Sequence, residues 1–294
     1  MGRKLTACSI GSCLPTFIQK HFVRLSKSLG MDIAFPLSGT ELALNYCKTH
    51  GIASTCRDTG SVQLRNDVTL DIINGLVPDY AVYLDYLRQG KWQNKFQVWE
   101  KMKGEYNCEY YEFFYAFLKV KYDMAAELSR HAPDILIVDS HDDMMTTTYR
   151  HRARRWNGFF GNIQFDDPSV DERFRAEFEF HRPCTAGESV AAMAGLYEHF
   201  KSRNPSLKLV YIHFPMLRQH APKVIIERFL EFDTSAIADR IPAEDLIEIT
   251  VPDNAAIPVA NPESGITDWE HFEDDTYRYI AMKAANSIIE RLAR

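Results

Sequence analysis

Short apolar runs bounded by turn residues alternate along this chain with stretches whose apolar positions recur every three or four residues. Leu5 to Ile10 reads as a buried strand, cut off by Gly11-Ser12. Pro15 then suits the first turn of a helix to about Leu29, where Phe17, Ile18, His21, Phe22 and Leu25 fall at helical spacing and Gly30 ends the run. Met31 to Leu37 is a second extended piece, followed by Ser38-Gly39-Thr40 and a helix from Glu41 to Lys48. Between Asp67 and Arg130 the pattern turns helical and rich in aromatics, which predicts a packed helical insertion or a cap over a site. Asp134 to Asp139 is the clearest buried strand and ends in Ser140-His141-Asp142-Asp143. Asp166 to Arg182 reads as a charged loop with a short helix. A helix at Ala186 to Ser202, a strand at Leu207 to His213, a helix at Ala221 to Phe232 and a strand near Leu246 to Val251 follow. A Pro/Asn-rich loop then leads to a last helix from Asp274 to Ala293.

Strands that alternate with helices predict a three-layer α/β/α fold of flavodoxin-like type, its sheet mostly parallel. The 294 residues read as one domain, residues 1–294, with the helical insertion at about 67–130. A hydrophobic share of 46% supplies a core, and a formal net charge of −6 gives no reason to expect nucleic acid as a partner. No apolar run approaches the ~20 residues that span a bilayer, and no h-region follows the N-terminus. The six cysteines are scattered, without a Cys-x-x-Cys pair, so reduced thiols and a cytoplasmic location are expected and no structural metal is.

Chemistry is expected where strands end, because ligands of open parallel sheets bind at the carboxyl ends. Cys13 lies after the first strand and at the start of a helix. The backbone N–H groups and positive dipole of such an end favour a thiolate and can hold an oxyanion. Cys8, within the strand, lacks that setting. At the other end of the chain, Asp268-Trp269-Glu270-His271-Phe272 stands just before the last helix.

Gly11-Ser12-Cys13 and the Asp268-x-x-His271 block together resemble the SGNH (GDSL-type) hydrolase superfamily, and Gly-Ser-Cys resembles its GSCFA branch with cysteine in the nucleophile position. The resemblance implies Cys13 as nucleophile, His271 as general base and Asp268 as the residue that orients it. It implies an acyl-ester hydrolase or acyltransferase working through a thioester on a glycan, small-molecule or carrier-bound acyl group. No resident cofactor is implied, although coenzyme A is an admissible acyl donor. Ser12 and Gly39, with Gly60 as the alternative glycine, are the expected oxyanion or substrate positions. The middle of the chain departs from the superfamily's Gly-x-Asn-Asp block: Ser140-His141-Asp142-Asp143 stands there, so His141 and Asp142 become the candidates for contact with substrate.

Two other readings stay open. A divalent metal could sit on the cluster of Asp139, His141, Asp142 and Asp143, making a metal-dependent hydrolase centred on His141 and Asp142. A non-catalytic binding protein could also keep this fold. The basic run Arg150, His151, Arg152, Arg154, Arg155 is either a solvated face or a phosphate site for a carrier arm, with Arg150, Arg152 and Arg154 as its ligands.

Overall fold

The computed structural model describes residues 4–35, 62–78, 80–92, 110–158, 163–215, 221–260 and 267–292. The elements are β1 (Lys4–Ile10), α1 (Cys13–Ser28), β2 (Asp32–Ala34), α2 (Asn66–Ile73), α3 (Tyr80–Gln89), β3 (Gly90–Trp92) and α4 (Tyr110–Leu128). Next come β4 (Ile135–Asp139), α5 (His141–Met145), β5 (Thr148–His151), β6 (Ile163–Phe165), α6 (Pro168–Glu177) and β7 (Phe178–His181). The chain continues with α7 (Ala186–Lys201), β8 (Lys208–Ile212), α8 (Lys223–Glu231), β9 (Leu246–Ile249), β10 (Pro258–Ala260), β11 (Thr267–Phe272) and α9 (Asp274–Leu292).

Five strands in the order β2-β1-β4-β8-β9 form a sheet in which every pair is parallel. Burial on both faces explains why these strands read as nearly continuous apolar runs. Alternate side chains divide between the two faces. Cys8, Ile10, Leu136, Val138, Leu209 and Tyr211 join one core with α2, α3, α4, α6 and α7. Leu5, Ala7, Ile135, Ile137, Val210 and Ile212 join a second core with α1 and α9. The fold is therefore a three-layer α/β/α sandwich. All five residues of β4 are fully buried, and burial of each Ile, Leu or Val side chain contributes about 1.5–3 kcal/mol relative to exposure.

The described helices of the aromatic insertion supply one layer together with α6 and α7. Tyr80 and Tyr122 stack at 4.2 Å, and Tyr83, Trp156, Phe174 and Phe178 pack around them beneath the sheet. On the other face, Ala281, Ala284 and Ala285 of α9 are wholly buried in the core that holds Ile18 and Phe22 of α1. Small residues there let the two helices approach closely.

Three short antiparallel pairs (β3–β6, β5–β7 and β10–β11) lie outside the main sheet. The stretch read as a loop around Asp268 and His271 is in fact β11. Its pairing is irregular: Val259 opposes Asp268, whereas the neighbouring Pro258 opposes Phe272, so Trp269 to His271 bulge from the ladder. A bulge re-aims side chains. Its sequence has no alternation to betray a strand. The expected helix at 41–48 lies outside the described residues.

Candidate active site

In this strand order the chain leaves β1 toward β2 on one side and finds β4 on the other, so the sheet's switch point falls between β1 and β4. Open sheets of this kind hold their ligands at the carboxyl side of that point. Gly11-Ser12-Cys13 and Asp139-Ser140-His141 meet there.

Asp139 joins the two turns. Its carboxylate, fully buried, accepts the Ser12 hydroxyl at 2.8 Å, the Ser12 amide at 3.1 Å and the His141 amide at 2.9 Å. Burial, with the Asp142 charge nearby, pushes the carboxyl up to about 6, while His141 and these donors hold it back. Ser12 also caps α1, its hydroxyl oxygen accepting the Leu14 amide at 3.2 Å. Gly11 has φ +119°, and a Cβ on it would stand 2.9 Å from Asp139 Cγ. Glycine is required there on both counts.

This cap places Cys13 at the first position of α1, half-buried, where helix amides have no intrahelical partner. The sulfur lies 3.7 Å from His271 Nε2, 258 residues away in the chain. That contact brings the two ends of the predicted constellation together. The His271 ring meets Phe17 edge-on at 6.0 Å, and Phe17 packs on Tyr277 at 5.0 Å. The Tyr277 hydroxyl accepts the amide of Phe272, the residue after His271, at 2.9 Å. A sulfur and an imidazole at this separation can exchange a proton after a small closing movement. The backbone of Asp268 belongs to β11, but its side chain lies outside the described part of the structure, as do Gly39 and Gly60.

The expected oxyanion role of Ser12 does not fit this geometry, because its N–H and O–H both point into Asp139. His141 is buried with its ring against Phe214, centroids 4.2 Å apart, and its Nδ1 is 3.6 Å from an Asp142 oxygen.

A three-ligand group centred on His141 and Asp142 is absent among the described residues. The group whose ligand atoms come within 4.8 Å of one another is Asp67, Asp143 and Cys184. A cation already stands among them: Arg65 Nη2 is 2.6 Å from Asp67 Oδ2 and 3.0 Å from Cys184 Sγ. The buried guanidinium also donates to the Thr146 and Arg182 carbonyls, which makes this cluster a structural knot. Asp143 accepts the amide and side-chain N–H of Asn66 at 2.6 and 2.8 Å, together with the Ser189 hydroxyl. Asn66 also donates to the Asp139 carbonyl at 2.8 Å, which links the knot to the switch point. Burial, then the Asp67 charge, raises the Asp143 carboxyl to about 7.

The basic run covers the end of β5, which pairs with β7, and the turn that follows it. Arg150 donates to the Arg155 carbonyl, Arg152 donates to the Arg175 carbonyl and Glu179, and Arg155 pairs with Glu179 at 2.7 Å. Arg154 sits exposed in the same turn. A phosphate would compete with Glu179 for two of these arginines. Sequence reasoning missed Asn66, Arg65, Phe17 and Tyr277 as supports of the site. Only the polar end of the apolar run Ile135–Asp139 signalled that Asp139 would face a turn.

No helix among the described residues is long and apolar enough to cross a membrane. Comparison of the chain with models of known families, with curated proteins and with solved structures finds no match.

Proposed function

We propose that this protein is an SGNH-like acyl-ester hydrolase or acyltransferase that works through a thioester on Cys13. The observation that carries the reading is the 3.7 Å approach of Cys13 Sγ to His271 Nε2 at the sheet's switch point. In this mechanism His271 Nε2 accepts the thiol proton, and the sulfur attacks the acyl carbonyl carbon. The resulting oxyanion meets the positive end of the α1 dipole, since the Leu14 amide is bonded to Ser12 Oγ and Pro15 has no N–H. The C–O bond breaks, and the leaving alkoxide takes the proton from His271. Water or an acceptor alcohol or amine then attacks the thioester, giving its proton to His271, and the thiolate leaves and is reprotonated. Asp268, three residues before His271, is the residue proposed to orient the imidazole.

The acyl group would arrive on a glycan, a small molecule or a carrier, with coenzyme A as one candidate donor. A cytoplasmic location would keep the Cys13 thiol reduced.

One observation favours a second reading, that of a binding protein on the same fold: the Ser12 amide is committed to Asp139 and leaves fewer donors for an oxyanion. Turnover of p-nitrophenyl acetate at neutral pH separates the two. In the catalytic reading Cys13→Ala lowers turnover by at least about a hundredfold and leaves the circular dichroism spectrum unchanged. Full turnover in that variant overturns the assignment.

A further inference from the structure

Cys13, Phe17 and His21 stand at i, i+4 and i+8 on α1 and so form one stripe along the helix. Every member of the stripe meets the elbow between β11 and α9. Cys13 meets His271, and Phe17 meets His271 and Tyr277. The buried ring of His21 reaches Asp274 Oδ1 through Nε2 at 2.9 Å. Asp274 is the first residue of α9 and lies three positions after His271. Lys20 reaches the same oxygen at 2.6 Å from the solvent side. Hydrogen bonds from Lys20 and then His21 hold the Asp274 carboxyl down at about 2, so it is ionised at any working pH.

We infer that His21 is a positioning residue for the proposed dyad, acting through Asp274 to hold His271 against Cys13. This rests on the reading of Cys13 and His271 as a reacting pair. Two features set the contact apart from ordinary helix packing. His21 is itself buried, on the side of α1 that buries Ile18 and Phe22, a setting that ordinarily holds apolar side chains. Its imidazole instead spends its Nε2 on a half-exposed carboxylate at the start of the elbow that carries His271. The bulge in β11 leaves the backbone of residues 269–271 without a regular ladder. The fixed points on either side of His271 therefore decide where its ring stands. Toward the C-terminus these are the Phe272–Tyr277 hydrogen bond and the Asp274–His21 pair.

The test is the rate of Cys13 carbamidomethylation by iodoacetamide as a function of pH, read by peptide mass mapping on the full chain. Wild type, His21→Leu, His21→Gln, Asp274→Asn and His271→Ala are compared. His21→Leu and Asp274→Asn should slow alkylation at neutral pH by roughly tenfold and move the profile toward that of His271→Ala. His21→Gln, which keeps a donor for Asp274, should restore most of the rate. Asp274 is half exposed, so its variant carries the test even where a core substitution at His21 fails to fold. A wild-type profile in both His21→Leu and Asp274→Asn, alongside a displaced profile in His271→Ala, overturns the positioning role and leaves the dyad standing. A wild-type profile in His271→Ala overturns the dyad and the positioning role together.

Discussion

The Asp139 carboxylate at the end of β4 holds Ser12 by its hydroxyl at 2.8 Å and its amide at 3.1 Å, across 127 residues of chain. This one buried group sets the turn that delivers Cys13 to the switch point. Asp139→Ala would leave the Ser12 amide, the Ser12 hydroxyl and the His141 amide without their acceptor. The expected loss of stability is about 2–4 kcal/mol by urea denaturation, with a smaller loss for Asp139→Asn, which keeps one acceptor oxygen. Equal losses in the two variants would argue against the hydrogen-bonding role.

Gly11 and Gly30 both have positive φ, at +119° and +82°. A Cβ at Gly11 would strike Asp139, whereas one at Gly30 would meet nothing within 4 Å. Gly30→Ala should therefore cost only backbone strain, about 1 kcal/mol, and Gly11→Ala should cost about 2 kcal/mol more. Thermal unfolding of the two variants measures the difference, and a Gly11 variant as stable as the Gly30 variant would contradict the close packing of the turn.

Asp143 makes stability depend on pH. Its carboxyl titrates near 3.8 when exposed and near 7 when buried in the fold. Between those values the folded chain retains a proton that the unfolded chain has released. The group's contribution is thus full below about pH 4 and falls as pH rises toward 7. Asp139, raised to about 6, acts in the same sense. Asp143→Asn has no proton to lose, so its destabilisation relative to wild type should shrink by a few kcal/mol between pH 4 and pH 8. A destabilisation that grows over that range would show that the carboxylate form is the one the fold prefers.

Thiol reactivity should separate the described cysteines. Cys8 lies in the sheet, where burial pushes its thiol up to about 12, and burial with the Asp143 charge raises Cys184 as well. Cys13 is half-buried, at a helix start and beside an imidazole. Brief iodoacetamide treatment of the native protein at neutral pH should modify Cys13 at least about tenfold faster than Cys8 or Cys184. Comparable rates would remove the special setting claimed for Cys13.

The core strands were legible from the chain because burial on both faces leaves continuous apolar runs such as Ile135–Asp139. Cys13 and His271 were legible as residue types in suggestive places, one after a strand and one before the last helix. Their convergence was expected only through the family resemblance and not from periodicity, because it depends on α9 packing beside α1 and on a bulge in β11 that has no periodic signature. The short pairs β3–β6 and β5–β7 also escaped, as three- and four-residue strands carry too little alternation to count. Ser12 was read from its neighbours as an oxyanion contact. Its commitment to Asp139 follows from the parallel pairing of β1 with β4, which local sequence does not encode. Gly39, Gly60 and the Asp268 side chain lie outside the described structure.

The most direct measurement is the mass of peptides recovered after the protein is incubated with p-nitrophenyl acetate and quenched in acid within the first turnover. An acetyl group carried on the Cys13 peptide, labile to hydroxylamine and strongly diminished in His271→Ala, is the predicted result. Ester turnover without any acylated Cys13, or Cys13 acylation undiminished when His271 is replaced, would contradict it.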